Sequence, residues 1–317
     1  MSTESDREPQ DNFNGPWLTI GSFDGVHRGH QAVIRLLTGE SHKRQSASIV
    51  VTFFPHPVKV LRGDHQPYYL SSPEEKNQIL KSLGVDTILT LHFDHTLASQ
   101  SAESFIQTLH QQLKFSTLLI GHDFRLGANR SGDINTLTEL GKKFGYQVRA
   151  IEPFQSSSKN ISSSLIRELL KSGDLSEANA LLGRPYSVQG RIIHGDGRGK
   201  HIGLPTANLD IWQEKLMPAV GVYAAVAELD GRRWMSVVNI GNRPTFYEKP
   251  FQQTVEAHLL DFNQEIYDRE MRLRFIRRIR PEMKFDSAGH LMVQINQDIQ
   301  LAREVLSDEL DHTNLPA

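Results

Sequence analysis

The 317-residue chain contains no cysteine. That excludes disulfides, thiolate nucleophiles and cysteine-held zinc together, and it fits a reducing cytoplasm. An excess of charge of either sign is also missing. With 35 basic residues against 37 acidic ones, no global field draws the protein toward nucleic acid or an anionic membrane, so any anion must be held locally. Residues 1–14 are polar and lack an apolar segment, so they read as a short disordered lead, neither a signal peptide nor a membrane anchor. A Walker A loop is absent too: Gly195-Asp-Gly-Arg-Gly-Lys200 is followed by His201, where that loop needs Ser or Thr. The near-balanced charge is compatible with weak self-association.

The length suits two domains, and a division is expected near Gly183-Arg184-Pro185. Before it, from Trp17 to about Ile151, short β-branched runs alternate with helical patterns, as in a parallel sheet with crossover helices. After Leu18-Thr19-Ile20, strands are expected at 48–54, 85–91, 117–120 and 147–151. Helices are expected from Ser72-Pro-Glu-Glu75 to Gly84, over 101–113 with Phe105, Ile106 and Leu109 inward, and from Asp133 to Gly145. Two short helices, 165–173 and 175–183, close on glycine. Beyond them the period becomes two. Strands at 222–229 and 234–240 flank the hairpin signal Asp230-Gly231, with further strands at 254–262 and 271–276, and a helix over 287–306 ends the fold. So many short antiparallel strands expose edges unless they close into a small barrel.

The run Gly21-Ser-Phe-Asp-Gly-Val-His-Arg-Gly-His30 follows the first strand. Gly21 and Gly25 permit a tight turn, the helix behind it aims free N–H groups at an anion, and His27 and His30 share one helical face. Three further clusters follow a strand or open a helix: Thr52-Phe-Phe-Pro-His56-Pro57, then Gly121-His-Asp123-Phe-Arg125-Leu-Gly127 with Arg130 and Asp133, and Ile161-Ser162-Ser163-Ser-Leu-Ile-Arg167. At the carboxyl edge of a parallel sheet these loops are expected to surround one crevice. Ser162 and Ser163 can donate to phosphate and Arg167 adds a charged fork. Taken singly, the histidines read as capping or surface residues and the serines as an N-cap. Together they read as a phosphate site. Adenylyl transfer onto a phosphate would need no general base, and two histidines donating to the α-phosphate would suffice.

In the second domain, Gly197-Arg-Gly199-Lys200-His-Ile-Gly203-Leu-Pro205-Thr206-Ala-Asn208 offers glycines for phosphate approach, Lys200 as a point charge, and Thr206 and Asn208 as oxygen ligands for Mg2+. Glu256, on a strand, can serve as base for a neutral alcohol. The ordinary readings are a polar strand start and an outward strand residue.

These motifs carry a resemblance. GSFDGVHRGHQ, TFFPHP, GHDFRLGANRSGD and ISSSLIR resemble the FMN adenylyltransferase module of bacterial bifunctional riboflavin kinase/FAD synthetases, from about Trp17 to Gly183. LLGRPYSVQGRIIHGDGRGKHIGLPTANL, GVYA, NIGNRPTF, VEAHLLDF and RPEMKF resemble that family's riboflavin kinase module, from about Leu181 to the final helix. The resemblance implies a Rossmann-like nucleotidyltransferase domain at 15–183, a six-stranded Greek-key barrel with its helix at 184–309, and a tail at 310–317. It implies two ATP-dependent steps, riboflavin to FMN and then FMN to FAD with release of pyrophosphate. Gly21, Phe23, Asp24, Gly25, His27 and His30 would then line an ATP site completed by Asp123, Ser162, Ser163 and Arg167, with His56, Arg125, Arg130 and Asp133 toward the flavin phosphate. In the kinase, Gly197, Gly199, Lys200, Gly203 and Pro205 would hold ATP, Thr206 and Asn208 would position Mg2+-ATP, Glu256 would take the proton of the ribityl hydroxyl, and Arg243 would serve the flavin. Ser22, Leu126, Ser164 and Leu204 depart from the usual asparagine, phenylalanine, threonine and phenylalanine. Two other readings stand beside this one: a kinase whose first domain is inactive or repurposed, and a flavin or nucleotide sensor without turnover.

Overall fold

The computed structural model describes residues 15–63, 66–151, 155–156, 159–195, 204–242 and 253–311. The expected lead at 1–14, the residues Gly197, Gly199, Lys200 and Gly203, and Arg243 lie outside them. The chain divides into two compact units, Met1–His65 with Pro73–Asn160, and Gln66–Ser72 with Ile161–Ala317.

The first unit is built on five parallel strands: β1 (Trp17–Ile20), β2 (Ser48–Phe54), β3 (Thr87–His92), β4 (Thr117–Gly121) and β5 (Gln147–Ile151), in the order β3-β2-β1-β4-β5. The central strands β1, β2 and β4 are buried on both faces over most of their length, so their alternate residues feed two cores, while the edge strands β3 and β5 are partly exposed. Leu18, Ile20 and Leu118 pack with Phe105, Ile106 and Leu109 on one face, while Trp17, Val50 and Leu119 pack with Ile34, Leu37 and Leu80 on the other. The helices are α1 (Arg28–Lys43), α2 (Pro57–Arg62), α3 (Pro73–Ser82), α4 (His95–Ala98), α5 (Ala102–Leu113) and α6 (Ile134–Phe144). Local chemistry sets their ends. The Ser101 and Asp133 side chains accept from the N–H groups of Ser104 and Thr136, and Gly145 ends α6 at φ +87°. The strand order reverses between β1 and β4, so the loops leaving their carboxyl ends, 21–30 and 122–133, flank the position where open α/β sheets bind ligands.

The second unit opens with α7 (Ser163–Ser172) and α8 (Leu175–Leu182), followed by six strands. These are β8 (Tyr186–Ile193), β9 (Ala207–Ile211), β10 (Gly221–Leu229), β11 (Arg232–Asn242), β12 (Gln253–Leu259) and β13 (Glu270–Arg280), after the two-residue strands β6 (Gln155–Ser156) and β7 (Lys159–Asn160) that end the first unit. They close antiparallel in the order β10-β11-β12-β9-β8-β13. Strands β10, β11 and β12 form a meander and β13 returns beside β10, which is a Greek key. Asp230 and Gly231 both take positive φ, +49° and +74°, as a two-residue hairpin turn requires. In β13, Met271, Leu273 and Phe275 are fully buried and the intervening arginines face outward, as the alternation predicts. A long helix, α9 (Ala288–Asp311), runs five residues past the expected 306 and packs Ala302 and Leu306 on Ala224 and Val226.

Candidate active sites

In the first unit, strand β1 is prolonged by the Gly21 N–H donating to Val51 O at 3.0 Å, and then turns sharply. Gly25 takes φ +76°, but so do two bulky residues on the positive side, Phe23 at +48° and Val26 at +37°. Left-handed backbone at a β-branched residue is strained and persists where a site demands it. A side chain at position 21 would meet the Phe23 ring at 3.0 Å, which explains that glycine. His27 does not lie on the helix, contrary to the expectation that both histidines occupy one helical face: it is the N-cap of α1, its Nδ1 accepting from the His30 N–H at 3.3 Å. The capping geometry, rather than helical spacing, brings the two rings into a stack with centroids 3.6 Å apart and planes 18° from parallel. The cap also dictates a tautomer. An Nδ1 that accepts places the hydrogen of a neutral ring on Nε2. His30 meets the Phe23 edge at 5.2 Å, and its own Nδ1 is buried without a hydrogen-bond partner. Burial first, then the neighbouring His27 and Lys76, hold its pKa well below the ordinary imidazole value, so the ring is neutral at pH 7.

Lys76 lies on α3, a helix in which the sequence singles out no site residue. It is 6% exposed and donates to Thr52 Oγ1 at 2.9 Å and to Ser22 O at 3.3 Å. The only signal that could have found it is a lysine one turn inside a helix that follows β2, too common a pattern to stand out. His56 caps α2, its Nδ1 accepting from the Val58 N–H at 3.1 Å, directly after the cis peptide bond Phe54–Pro55. In the loop after β4, Asp123 is exposed, while Arg125 reaches Asp133 at 3.4 Å. Asp133 caps α6, and its carboxyl is held below the usual range by the Thr136 hydrogen bonds and then by Arg125. Arg130 is exposed at φ +58°.

The fourth cluster falls in the second unit. Ser162 is the N-cap of α7, accepting from the Leu165 N–H at 3.2 Å, with Ser163 the first helical residue. Arg167 is 7% exposed; its Nε donates to Tyr68 O at 2.9 Å and its guanidinium lies 3.7 Å over the Tyr68 ring. It thus holds segment 66–72 within that unit.

On the barrel, inward residues Val255, Ala257 and Leu259 alternate with outward Thr254, Glu256 and His258. The register sets Glu256 directly opposite Asn208 on β9 and Asn239 on β11. Thr206 lies two residues before Asn208, and the loop before it is tied by the contact of His258 Nδ1 with Pro205 O at 2.8 Å. Glu256 and Asn208 therefore share one outer face, Thr206 directly precedes β9, and Asn239, missed in the sequence, pairs with Glu256 from the other side. Among the described residues no group of three or more His, Cys, Asp or Glu gathers as a metal cage. Hydroxyl and amide oxygens beside a carboxylate do fit a hard cation delivered with a polyphosphate.

The chain matches the FAD synthetase family over residues 10–165 and the riboflavin kinase family over 182–306. Curated relatives named bifunctional riboflavin kinase/FMN adenylyltransferase are 39% identical in Bacillus subtilis, covering 92% of each chain, and 38% identical in Escherichia coli, covering 90% of this chain and 91% of the relative. The Haemophilus influenzae relative of the same name is 39% identical over 92% and 94%. A solved Streptococcus pneumoniae structure titled a macrolide-efflux protein aligns with TM-score 0.84 and 29% identity over 93% of this chain and 96% of that one. Among the described residues no helix is long and apolar enough to cross a membrane. Two family matches in tandem, and full-length relatives carrying both activities in their names, place this chain in the bifunctional riboflavin kinase/FMN adenylyltransferase family.

Proposed function

We propose that riboflavin is phosphorylated on the outer face of the barrel unit, within 184–309, and that FMN is adenylylated at the turn after β1, within 15–183, both in the cytoplasm. In the first reaction Glu256 takes the proton of the ribityl 5'-hydroxyl as its oxygen attacks the γ-phosphorus of ATP and ADP departs. Thr206 and Asn208 would hold Mg2+ with the ATP phosphates, and the ion would neutralise charge there. Asn239, opposite the carboxylate in register, keeps Glu256 within a polar row. In the second reaction an FMN phosphate oxygen, already ionised, attacks the α-phosphorus of another ATP and pyrophosphate departs. His27 donates through Nε2–H and His30 through its one N–H to the oxygens on which charge builds. Neither takes a proton from the nucleophile. Arg125 and Arg130, exposed in the loop after β4, supply cations for the flavin phosphate.

The observation that carries the reading is the stacked, capped histidine pair at the switch point of a parallel sheet. Incubation with riboflavin, ATP and Mg2+ followed by chromatography of the flavins tests it. The pair His27→Ala with His30→Ala is expected to stop at FMN. Glu256→Gln is expected to make no FMN yet to convert supplied FMN to FAD. Loss of both products in either folded variant overturns the assignment of separate sites.

A further inference from the structure

We propose that Lys76 is a positioning residue of adenylyl transfer: its ammonium joins the Ser22 carbonyl to the Thr52 hydroxyl and so holds the turn that carries His27 and His30 in its reactive shape. The inference rests on the histidine pair as the adenylyl-transfer site. The geometry is a closed triangle. Lys76 Nζ donates to Thr52 Oγ1 at 2.9 Å and to Ser22 O at 3.3 Å, and Thr52 Oγ1 donates to the same Ser22 O at 3.1 Å. Ser22 immediately precedes Phe23, the first residue of the turn forced to positive φ. Three elements thus meet at one carbonyl: the turn after β1, the body of β2 and the first turns of α3. Thr52 is fully buried and Lys76 nearly so. A buried cation is costly unless its hydrogen bonds are satisfied, and a lysine at an ordinary helix position would extend into water.

The groups that bear on this pair are Asp24 and His27 from the turn, His30 from α1 and Lys76 from α3. Burial brings the Lys76 pKa down to about 8, with Asp24 opposing the shift, so the ammonium loses its charge in mildly alkaline solution. Lys76 in turn helps to keep His30 unprotonated. Removing its charge therefore raises the pKa of His30 and moves the acid limb of adenylylation to higher pH. Deprotonating it weakens the triangle and produces an alkaline limb near its own pKa.

The test uses the full chain with FMN and ATP supplied. Lys76→Met is expected to lower kcat for FAD formation about 100-fold, the scale of a 1 Å misplacement of catalytic groups, with KM for ATP little changed. Thr52→Val, which removes only the shared hydroxyl, should lower kcat less, and the double variant should be no worse than Lys76→Met, because both act through one network. Lys76→Arg restores a cation that does not titrate, so it should recover activity relative to Lys76→Met and lose the alkaline limb that the unaltered protein shows. Riboflavin phosphorylation should keep its pH profile throughout. An unaltered protein without an alkaline limb, a Lys76→Met effect confined to KM, or additive losses in the double variant would overturn the proposal. If His27→Ala with His30→Ala still made FAD, the site reading itself would fall, whatever Lys76 did.

Discussion

At the scale of single residues, His30 couples the chemistry of the first unit to its stability. Its folded pKa lies well below 6.5, the value of an exposed imidazole. As pH falls through 6.5 the unfolded chain takes up a proton that the folded chain refuses, so stability declines on the acid side, by at most about 1.4 kcal/mol per pH unit. Above pH 6.5 neither state is protonated and the contribution vanishes. His30→Gln is therefore expected to flatten the dependence of the unfolding midpoint between pH 7.5 and 5.5, and equal slopes in both proteins would remove His30 as its cause. Asp86 works in a separate window. Burial alone would raise its pKa, but hydrogen bonds from the Ser48 N–H and hydroxyl and from His42 outweigh it and bring it to about 2, so its contribution is present above 3.8 and is lost as pH falls toward 2. The histidine pair was legible because both members and the glycines that shape the turn lie within ten consecutive residues. Lys76 was not, since its partners lie 24 and 54 positions away and nothing local distinguishes it from a surface helix lysine. The departure at Ser22 also becomes intelligible: what this position gives to the network is its backbone carbonyl, which any side chain leaves in place.

At the scale of elements, those whose ends are written in capping residues were readable. Asp133 and Gly145 bound α6, Ser101 opens α5, and Gly173 and Gly183 close α7 and α8 in left-handed geometry. Strand β10 falls where the sequence pattern has period two, yet seven of its residues from Gly221 to Ala227 are buried without interruption. The reason is tertiary: β10 faces the barrel core through Tyr223, Ala225 and Ala227, and α9 covers its other face at Ala224 and Val226. Strand periodicity cannot report a helix that arrives some sixty residues later. The docking of α9 includes an ion pair that is nearly sealed: Arg280 Nε lies 3.0 Å from both carboxylate oxygens of Asp298, its Nη2 donates at 2.8 Å, and Gln294 adds a bond at 3.0 Å. The side chains are only 14% and 3% exposed. Removing one partner strands a buried charge, so Asp298→Ala should cost about 3–5 kcal/mol, while Arg280→Met with Asp298→Leu should cost far less. Urea unfolding of both variants checks this. A double variant as damaged as the single would mean that the pair fixes α9 by more than charge compensation.

At the scale of the whole molecule, the chain leaves the first unit at residue 66, returns at 73 and leaves again at 161. Segment 66–72 belongs to the second unit and is structural there. The Tyr68 and Tyr69 N–H groups both donate to Glu214 O, the Leu216 N–H donates to Tyr69 O, and Lys215 Nζ reaches Leu70 O across 145 positions. Pairings at such separation leave no local trace in sequence. The same issue governs where the barrel can be cut. Ile166, Leu170, Leu175, Leu181 and Leu182, from α7 and α8, share one continuous core with Tyr186, Val188, Tyr223 and Phe275. Each such side chain contributes about 1.5–3 kcal/mol on burial, and a domain's net stability is only about 5–15 kcal/mol. A fragment of residues 161–317 is therefore expected to unfold cooperatively, and one of 184–317, which begins after both helices, to melt far lower or without a cooperative transition. Both lack segment 66–72 equally, so the difference reports α7 and α8 alone. Thermal unfolding followed by circular dichroism decides it, and equal midpoints would show that the barrel closes its core without the two helices.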